Sequence, residues 1–238
     1  MKVIAWNIAH QVRKRPIPDY MVDVIEDLEA DTVFFNEYID HEIREPFKEA
    51  MREAGYEWQA VSPTPAVHNQ IFAASRIPFK VGDLEPPQFD GSAISNFLHL
   101  QFDDFPVEMV GIRAPAYSKA ADKHAYWAEL AAIMNSAKER KILFAGDVNY
   151  DPFKKAKQPE AETVPFHLCE AYQIPHPKGD WSFLAHSGNG FKIDHVMHTS
   201  NVAISEVEYL DWIRGRYLAG EKIKKPISDH AVLRFEVD

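Results

Sequence analysis

The stretch from Lys2 to Tyr38 constrains the fold more than any other part of the chain. KVIAWNI (Lys2 to Ile8) is an apolar run too short for a helix of ordinary length. PDYMVDVIEDLEA follows, with Met21, Val24, Ile25 and Leu28 at helical spacing behind Pro18 and Asp19, a helix start. DTVFFNEY is a second short apolar run that ends in Asn36 and Glu37. Strand, helix, strand of this length is the βαβ signature, and strands without alternation are buried on both faces.

Downstream, IREPFKEAMREAG reads as a second helix closed by Gly55. The runs YEWQAV, QIFAAS, SNFLHLQF and VEMVGIRA are punctuated by Gly, Pro and Asp, which suits antiparallel strands. KAADKHAYWAELAAIMNSAKER is the strongest helical pattern, with Trp127, Leu130, Ala131 and Met134 on one stripe, and it feeds the strand KILFAGDVN. Prolines 159, 165, 175 and 177 mark much of 150 to 180 as loop, and FKIDHVMHT, AISEVEYL and HAVLRFEV close the chain as strands. The expectation is an α/β chain with two packed sheets and helices outside. Hydrophobic residues make up 46% of the sequence, and no repeat or Gly/Ser-rich linker divides it, so residues 1–238 read as a single domain.

Compartment follows from what is scarce. Cys169 is the only cysteine, which excludes an intrachain disulfide and makes a cytoplasmic home the expectation. Asn7 and His10 interrupt the N-terminal run before it could serve as a signal-peptide core, and no segment approaches the roughly 20 apolar residues of a membrane span.

The strand ends carry the chemistry. FAGDVN (Phe144 to Asn149) runs from buried chain into a carboxylate and an amide two residues apart, which an extended backbone would present on one side. Asn7, Glu37 and Asp194 sit on other strands, and Ser228, Asp229 and His230 precede the last one. Singly these are ordinary turn, cap or solvated groups, since Gly, Asp and Asn favour turns. Gathered at one rim of a layered fold, they make a pocket of four carboxylates, two amides and one imidazole. Such carboxylates repel one another unless a cation joins them, and hard oxygen donors with an amide select Mg²⁺, Mn²⁺ or Ca²⁺. With a histidine alongside, the set suits hydrolysis of a phosphate ester.

Taken in order, AWNI, FFNEY, AGDVN, FKIDHV and ISDH resemble the motifs of the endonuclease/exonuclease/phosphatase superfamily, the deoxyribonuclease-I-like and exonuclease-III-like proteins. WSF ahead of KIDHV, and AASRIPF, resemble its weaker motifs. The resemblance implies a four-layered sandwich of two mixed β-sheets flanked by helices, with one catalytic rim. It further implies Glu37 as the principal ligand of Mg²⁺ or Mn²⁺, completed or oriented by Asp229 and Asn7. Asp147 would orient or deprotonate the attacking water, Asn149 would donate to the phosphate, and His230 paired with Asp194 would contact the scissile group and move protons. At VGIRAPAY the chain departs from the family, offering Arg113 where a histidine or tyrosine is usual. An arginine binds a phosphate oxygen with two donors but gives up no proton near neutral pH, so Arg113 reads as an electrostatic clamp.

Net charge is −10, which disfavours a polyanionic partner over the whole surface. The basic residues are unevenly spread, however. Arg13, Lys14 and Arg15, then Lys154, Lys155 and Lys157, then the segment from Arg214 to Lys225 hold 11 of the 26 Lys and Arg residues, all in loops next to the motifs. A basic mouth on an acidic body attracts a phosphate backbone. The leading expectation is therefore a metal-dependent phosphodiesterase on nucleic acid, a nuclease, with DNA ahead of RNA and no obligate protein partner. A phosphatase or phosphodiesterase on a small molecule (nucleotide, inositol phosphate or phospholipid head group) and a non-catalytic binding module remain the alternatives. Trp212, Tyr217 and Phe153 lie in or beside the basic loops, where anchoring to the core is the first expectation and base stacking the second.

Overall fold

The computed structural model describes residues 1–9, 17–18, 20–64, 69–153, 171–220 and 226–238. Strand β1 (Lys2–Asn7) leads through helix α1 (Tyr20–Asp27) to β2 (Thr32–Tyr38), parallel to β1 as the βαβ reading requires. Helix α2 (Glu45–Glu53) follows, with proline in its first turn and Gly55 just past its end at φ +92°, the left-handed stop that glycine supplies. Next come β3 (Trp58–Val61), β4 (Gln70–Ser75), β5 (Phe79–Val81), the short helix α3 (Gly91–Ser95), β6 (Phe97–Phe102) and β7 (Glu108–Arg113). Helix α4 (Ala120–Ser136) precedes β8 (Ile142–Asp147) and β9 (Tyr172–Gln173). A hairpin of β10 (Phe183–Leu184) and β11 (Gly190–Phe191) leads to β12 (Asp194–Thr199) and β13 (Ile204–Leu210). A second hairpin, β14 (Trp212–Ile213) with β15 (Arg216–Tyr217), precedes β16 (Val232–Val237).

Two six-stranded mixed sheets result, ordered β13-β16-β1-β2-β4-β3 and β5-β6-β7-β8-β12-β9. Side-chain alternation then sorts the apolar residues into three cores. Val3 and Ala5 of β1 and Phe34 of β2 pack between the sheets against Met109, Leu143, Ala145 and Val196. Ile4, Trp6, Val33 and Phe35 point the other way, onto Met21, Val24 and Ile25 of α1 and Phe47 and Met51 of α2. Beyond the second sheet, Val110, Ile142 and Phe144 meet Trp127, Leu130 and Met134 of α4. The layers are therefore helix, sheet, sheet, helix. At ~1.5–3 kcal/mol per fully buried large apolar side chain, these cores supply the bulk of the driving force.

Glycine at 111 sets the spacing between sheets locally. A Cβ there would lie 2.4 Å from the Phe34 ring and 2.9 Å from Ile71, both on the opposite sheet. Two features escape sequence reading because they are short. Helix α3 has five residues and is held at its start by Asp90, whose carboxylate accepts the Ala93 N–H at 2.8 Å. The two-residue strands of the hairpins are likewise too brief for a periodic signal. Within the expected loop from 150 to 180, residues 154–170 lie outside the described residues, and β9 emerges at its end.

Candidate active site at the strand ends

Parity brings the central polar groups together. Asn7 continues the inward-facing series Val3, Ala5 on the first sheet, and Asp147 continues Leu143, Ala145 on the second. They meet above the inter-sheet core, where Asn7 Nδ2 donates to Asp147 Oδ2 at 2.9 Å. Asp194 lies opposite Asp147 in the antiparallel register of β12 with β8. Arg113 lies beside Asp147 in the parallel register of β7 with β8, its Nε 3.8 Å from Asp147 Oδ2.

Asn149 reaches the same place by a route other than strand alternation. Strand β8 stops at Asp147, and Asn149 has φ +49°, so the chain turns back. Its N–H donates to Asp147 Oδ1 at 2.8 Å, an aspartate-anchored turn, and its Nδ2 donates to Ala114 O at 2.6 Å and Asp147 Oδ2 at 3.3 Å. Glu37 also departs from simple alternation, which would put it with Val33 and Phe35 on the helix side. A register shift between Phe35 and Tyr38, with φ +58° at Glu37, re-aims the carboxylate so that Arg113 Nη2 donates to its Oε1 at 2.6 Å. A non-glycine residue in that conformation costs ~1–2 kcal/mol, the kind of local strain that accumulates at functional sites.

His230 and Asp194 form the second half of the rim. His230 Nδ1 is 2.9 Å from Asp194 Oδ2, which leaves Nε2 as the ring's working nitrogen. Asp194 is fixed in turn, its N–H donating to Ser182 Oγ at 3.0 Å and its carbonyl accepting the Tyr209 hydroxyl at 2.7 Å, while its buried Oδ1 has no protein partner. Ser228 ties this half to β1, since its hydroxyl donates to Asn7 O at 2.7 Å and accepts the His230 N–H at 3.1 Å. Trp6 Nε1 donates to His230 O at 2.9 Å, so the tryptophan of AWNI braces the histidine of ISDH. Asp229 stands half-buried beside His230, and its carbonyl accepts the Leu184 N–H at 3.0 Å.

Sequence reading passed over Asn36, which supports the nucleophile side. It is fully buried, accepts the Asp147 N–H at 3.2 Å and donates to Ile112 O at 3.0 Å. The signal was present as an amide in an apolar run immediately before Glu37. Gly146 completes this junction: at φ +142°, a Cβ there would sit 2.0 Å from Ile112 O and 2.9 Å from Asn36 Oδ1.

Electrostatics separates the acidic groups by role. Burial, then the neighbouring Asp194 carboxylate, pushes Asp147 up to about 6, with His230 and Arg113 pulling the other way. Burial alone would lower His230, but the Asp194 carboxylate outweighs it and the ring is pushed up to about 9. At neutral pH the rim thus holds an imidazolium beside a carboxylate that titrates close to the working range.

Hard oxygen donors for a divalent cation are present in Glu37, Asp229 and the Asn7 carbonyl, which also accepts the Ala9 N–H at 2.9 Å. The donor chemistry fits, and the placement of a guanidinium between Glu37 and Asp147 shows that this corner accommodates positive charge. Elsewhere, Asp83, His99 and Glu108 bring ligand-type atoms within 4.8 Å of one another. That cluster lies at the opposite end of β7, and Arg140 already pairs with both carboxylates. His99 Nδ1 accepts the Leu84 N–H at 3.1 Å, so its proton sits on Nε2 facing Glu108, and both nitrogens are in use.

Of the basic residues flagged in the loops, Arg13, Lys14, Arg15, Lys154, Lys155, Lys157, Lys222, Lys224 and Lys225 lie outside the described residues. Arg214 and Arg216 pair with Asp27 and Asp23 of α1. Trp212 and Tyr217 are 51% and 41% exposed and pair across the β14–β15 hairpin, whereas Phe153 packs its ring on His176 at 4.4 Å and on the fully buried His195 at 5.5 Å between centroids, as an anchor does. Among the described residues, no helix is long and apolar enough to cross a membrane.

Two sheets back to back, with acid, amide and imidazole groups converging at one set of strand ends, define a deoxyribonuclease-I-like fold. The sequence pattern of the endonuclease/exonuclease/phosphatase family matches residues 4–230, and the chain belongs to that family. Enzymes of this family hydrolyse phosphoesters and use divalent metals. Among solved structures, an AP endonuclease from Archaeoglobus fulgidus superposes with a TM-score of 0.76 at 14% identity, covering 100% of this chain and 99% of that one. A 3' phosphatase from Neisseria bound to a product DNA hairpin gives 0.72 at 16% identity, covering 100% and 99% of the two chains. A 3'-5' exonuclease from Neisseria meningitidis gives 0.72 at 17%, covering 100% of both. No curated protein matches the sequence.

Proposed function

We propose that the protein is a divalent-metal-dependent phosphodiester hydrolase acting on nucleic acid, a nuclease with DNA as its first substrate class and Mg²⁺ or Mn²⁺ as its ion. The observation that carries this reading is the convergence on Asp147 of Asn7 Nδ2 at 2.9 Å and the Asn149 N–H at 2.8 Å, in register with Asp194, which holds His230. The solved structures of similar fold, an AP endonuclease, a 3'-5' exonuclease and a 3' phosphatase bound to a product DNA hairpin, favour nucleic acid over a small phosphoester.

The geometry supports the following roles. Asp147, titrating near 6 and held by donors on two sides, accepts a proton from a water at the rim. His230, protonated and oriented by Asp194, presents Nε2–H to a phosphate oxygen and offsets charge as it develops. Asn149 buttresses Asp147 through its N–H, and the Nδ2 donor that rests on Asp147 Oδ2 at 3.3 Å swings to a phosphate oxygen when substrate binds. Arg113 offers guanidinium donors to the same group. Glu37, Asp229 and Asn7 would hold the divalent ion, which when bound polarises the phosphoryl oxygen and stabilises the leaving group.

The test is hydrolysis of labelled single- and double-stranded DNA and RNA by wild type and Asp147→Ala, with Mg²⁺, Mn²⁺ or EDTA. Metal-dependent cleavage that vanishes in the variant is the expected result and identifies the polymer. Wild-type silence on every polymer, with turnover of a small phosphodiester or monoester, would replace nucleic acid by a small-molecule substrate; silence on both would leave a binding module.

A further inference from the structure

Arg113 closes β7 at the rim, with Glu37 on one side of its guanidinium and Asp147 on the other. Its side chain is 11% exposed and that of Glu37 is 8%, so the pair is largely desolvated. Yet the contact is a single donor, Nη2, on a single oxygen of Glu37 at 2.6 Å. Nε is buried, donates no hydrogen bond and lies 3.8 Å from Asp147 Oδ2. Two other partly buried arginines are each held by two donors. Arg140 places Nε on Glu108 Oε1 at 2.9 Å with Nη2 on Oε2, and Arg234 sets both Nε and Nη2 on Glu208. Arg113 therefore keeps a planar fork of donors largely unspent beside two carboxylates of the rim.

From this we infer that Arg113 is an exchangeable counter-cation: it neutralises Glu37 and Asp147 in the free protein and leaves Glu37 when its guanidinium is drawn to a phosphate, so that divalent-cation and phosphate binding are positively coupled through this one side chain. The inference rests on reading the rim as a metal-dependent phosphoester site. Its physical basis is simple competition. A divalent ion reaching Glu37 must displace a bound guanidinium unless a phosphate has already recruited it, and an arginine freed from Glu37 can grip phosphate with two donors. Linkage requires the converse to hold by the same factor, so bound metal must tighten phosphate. The free enzyme then has low affinity for the ion, and the complete centre assembles only with substrate in place.

The experiment measures Mn²⁺ binding from the electron paramagnetic resonance signal of the free aqua ion, with and without saturating dimethyl phosphate, for wild type and Arg113→Gln. For wild type, Mn²⁺ affinity rises about 5- to 50-fold on adding dimethyl phosphate, within the usual range of coupling between sites. Arg113→Gln binds Mn²⁺ at least ~5-fold more tightly than wild type without phosphate, and dimethyl phosphate changes that affinity less than ~2-fold. A second arm keeps Arg113 and removes its partner's charge: in EDTA, Glu37→Gln binds dimethyl phosphate more tightly than wild type, by calorimetric titration. Equal Mn²⁺ affinity in wild type and Arg113→Gln, equal coupling in both, or no tightening in Glu37→Gln would overturn the inference. Coupling in a protein that cleaves no nucleic acid would sink the nuclease reading alone, whereas metal-dependent cleavage with uncoupled Mn²⁺ binding would sink this inference alone.

Discussion

Replacing Asp147 by Asn should abolish hydrolysis and yet make the metal-free protein relatively more stable as pH rises. Asp147 is fully buried, and its pKa in the folded chain is pushed up to about 6 by burial and by Asp194. Because the folded state binds this proton more tightly than the unfolded chain does, with a carboxylate near 3.8, the associated stability is complete below pH ~4 and is lost as pH rises through ~6. The full loss is on the order of 3 kcal/mol, from about two pKa units at 1.36 kcal/mol each. Between pH 5 and pH 8 about half of it falls away. Asparagine carries no such charge, and any hydrogen bond it loses to Asn7 or Asn149 costs about the same at both pH values. Urea unfolding of wild type and Asp147→Asn in EDTA at pH 5 and pH 8 therefore isolates the ionisation. The stability of the variant relative to wild type should rise by ~1–2 kcal/mol from pH 5 to pH 8, worth ~2–8 °C in melting temperature for a domain of this size. A difference that does not change with pH, or that shifts against the variant as pH rises, would refute the claim that this buried charge is maintained at a cost to the fold.

Other outcomes follow from the same contacts. For His230, whose folded pKa is pushed up to about 9, the ion pair with Asp194 stabilises fully below pH 6.5 and is lost through pH 9; Asp194→Asn should flatten the fall in stability between pH 7 and 9 and cut kcat by about 10²–10⁴-fold, as loss of acid–base help typically does. Gly146→Ala drives a Cβ against Ile112 O and Asn36, so it should cost more than ~3 kcal/mol in urea melts or prevent soluble expression; a loss below ~1 kcal/mol would contradict the close approach. Asn36→Ala leaves the Asp147 N–H and Ile112 O without their partner and should cost ~2–4 kcal/mol while lowering kcat, because Asp147 loses its support; an unchanged kcat would restrict Asn36 to stability.

The layered fold was legible because double burial writes itself as unbroken apolar runs, as in β1, β2 and β8, and because a helix sits between the first two. The rim was legible for the same reason: a polar residue closing an apolar run stands out, as Asn7, Glu37 and Asp147 do, while Asp194 is an acid opening a buried strand. What the sequence withheld was register and local backbone hand. Nothing in FFNEY says that a bulge rotates Glu37 toward Arg113, since a one-residue shift exchanges the two faces of a strand. Nothing in GDVN separates strand alternation from a turn that folds Asn149 back onto Asp147. Asn36 looked like mere punctuation because its partners, Ile112 and the Asp147 backbone, are brought near only by the packing of one sheet on the other. The loops suspected of forming a basic mouth carry charge without periodicity, and Arg214 and Arg216 engage carboxylates on α1 that no linear pattern connects to them.

Asn7 and Asp147 belong to different sheets, and directly beneath them on the same faces lie Ala5 and Ala145, both in the shared core. The thickness of the sandwich is therefore a ruler for the site: the reach of a side-chain amide across to a carboxylate is fixed by how small the residues one layer down are. Bulk added at Ala5 or Ala145 would act like a shim, prising the two halves of the rim apart without touching a reacting group. A protein built this way can retune, or lose, its chemistry through residues that no ligand ever meets.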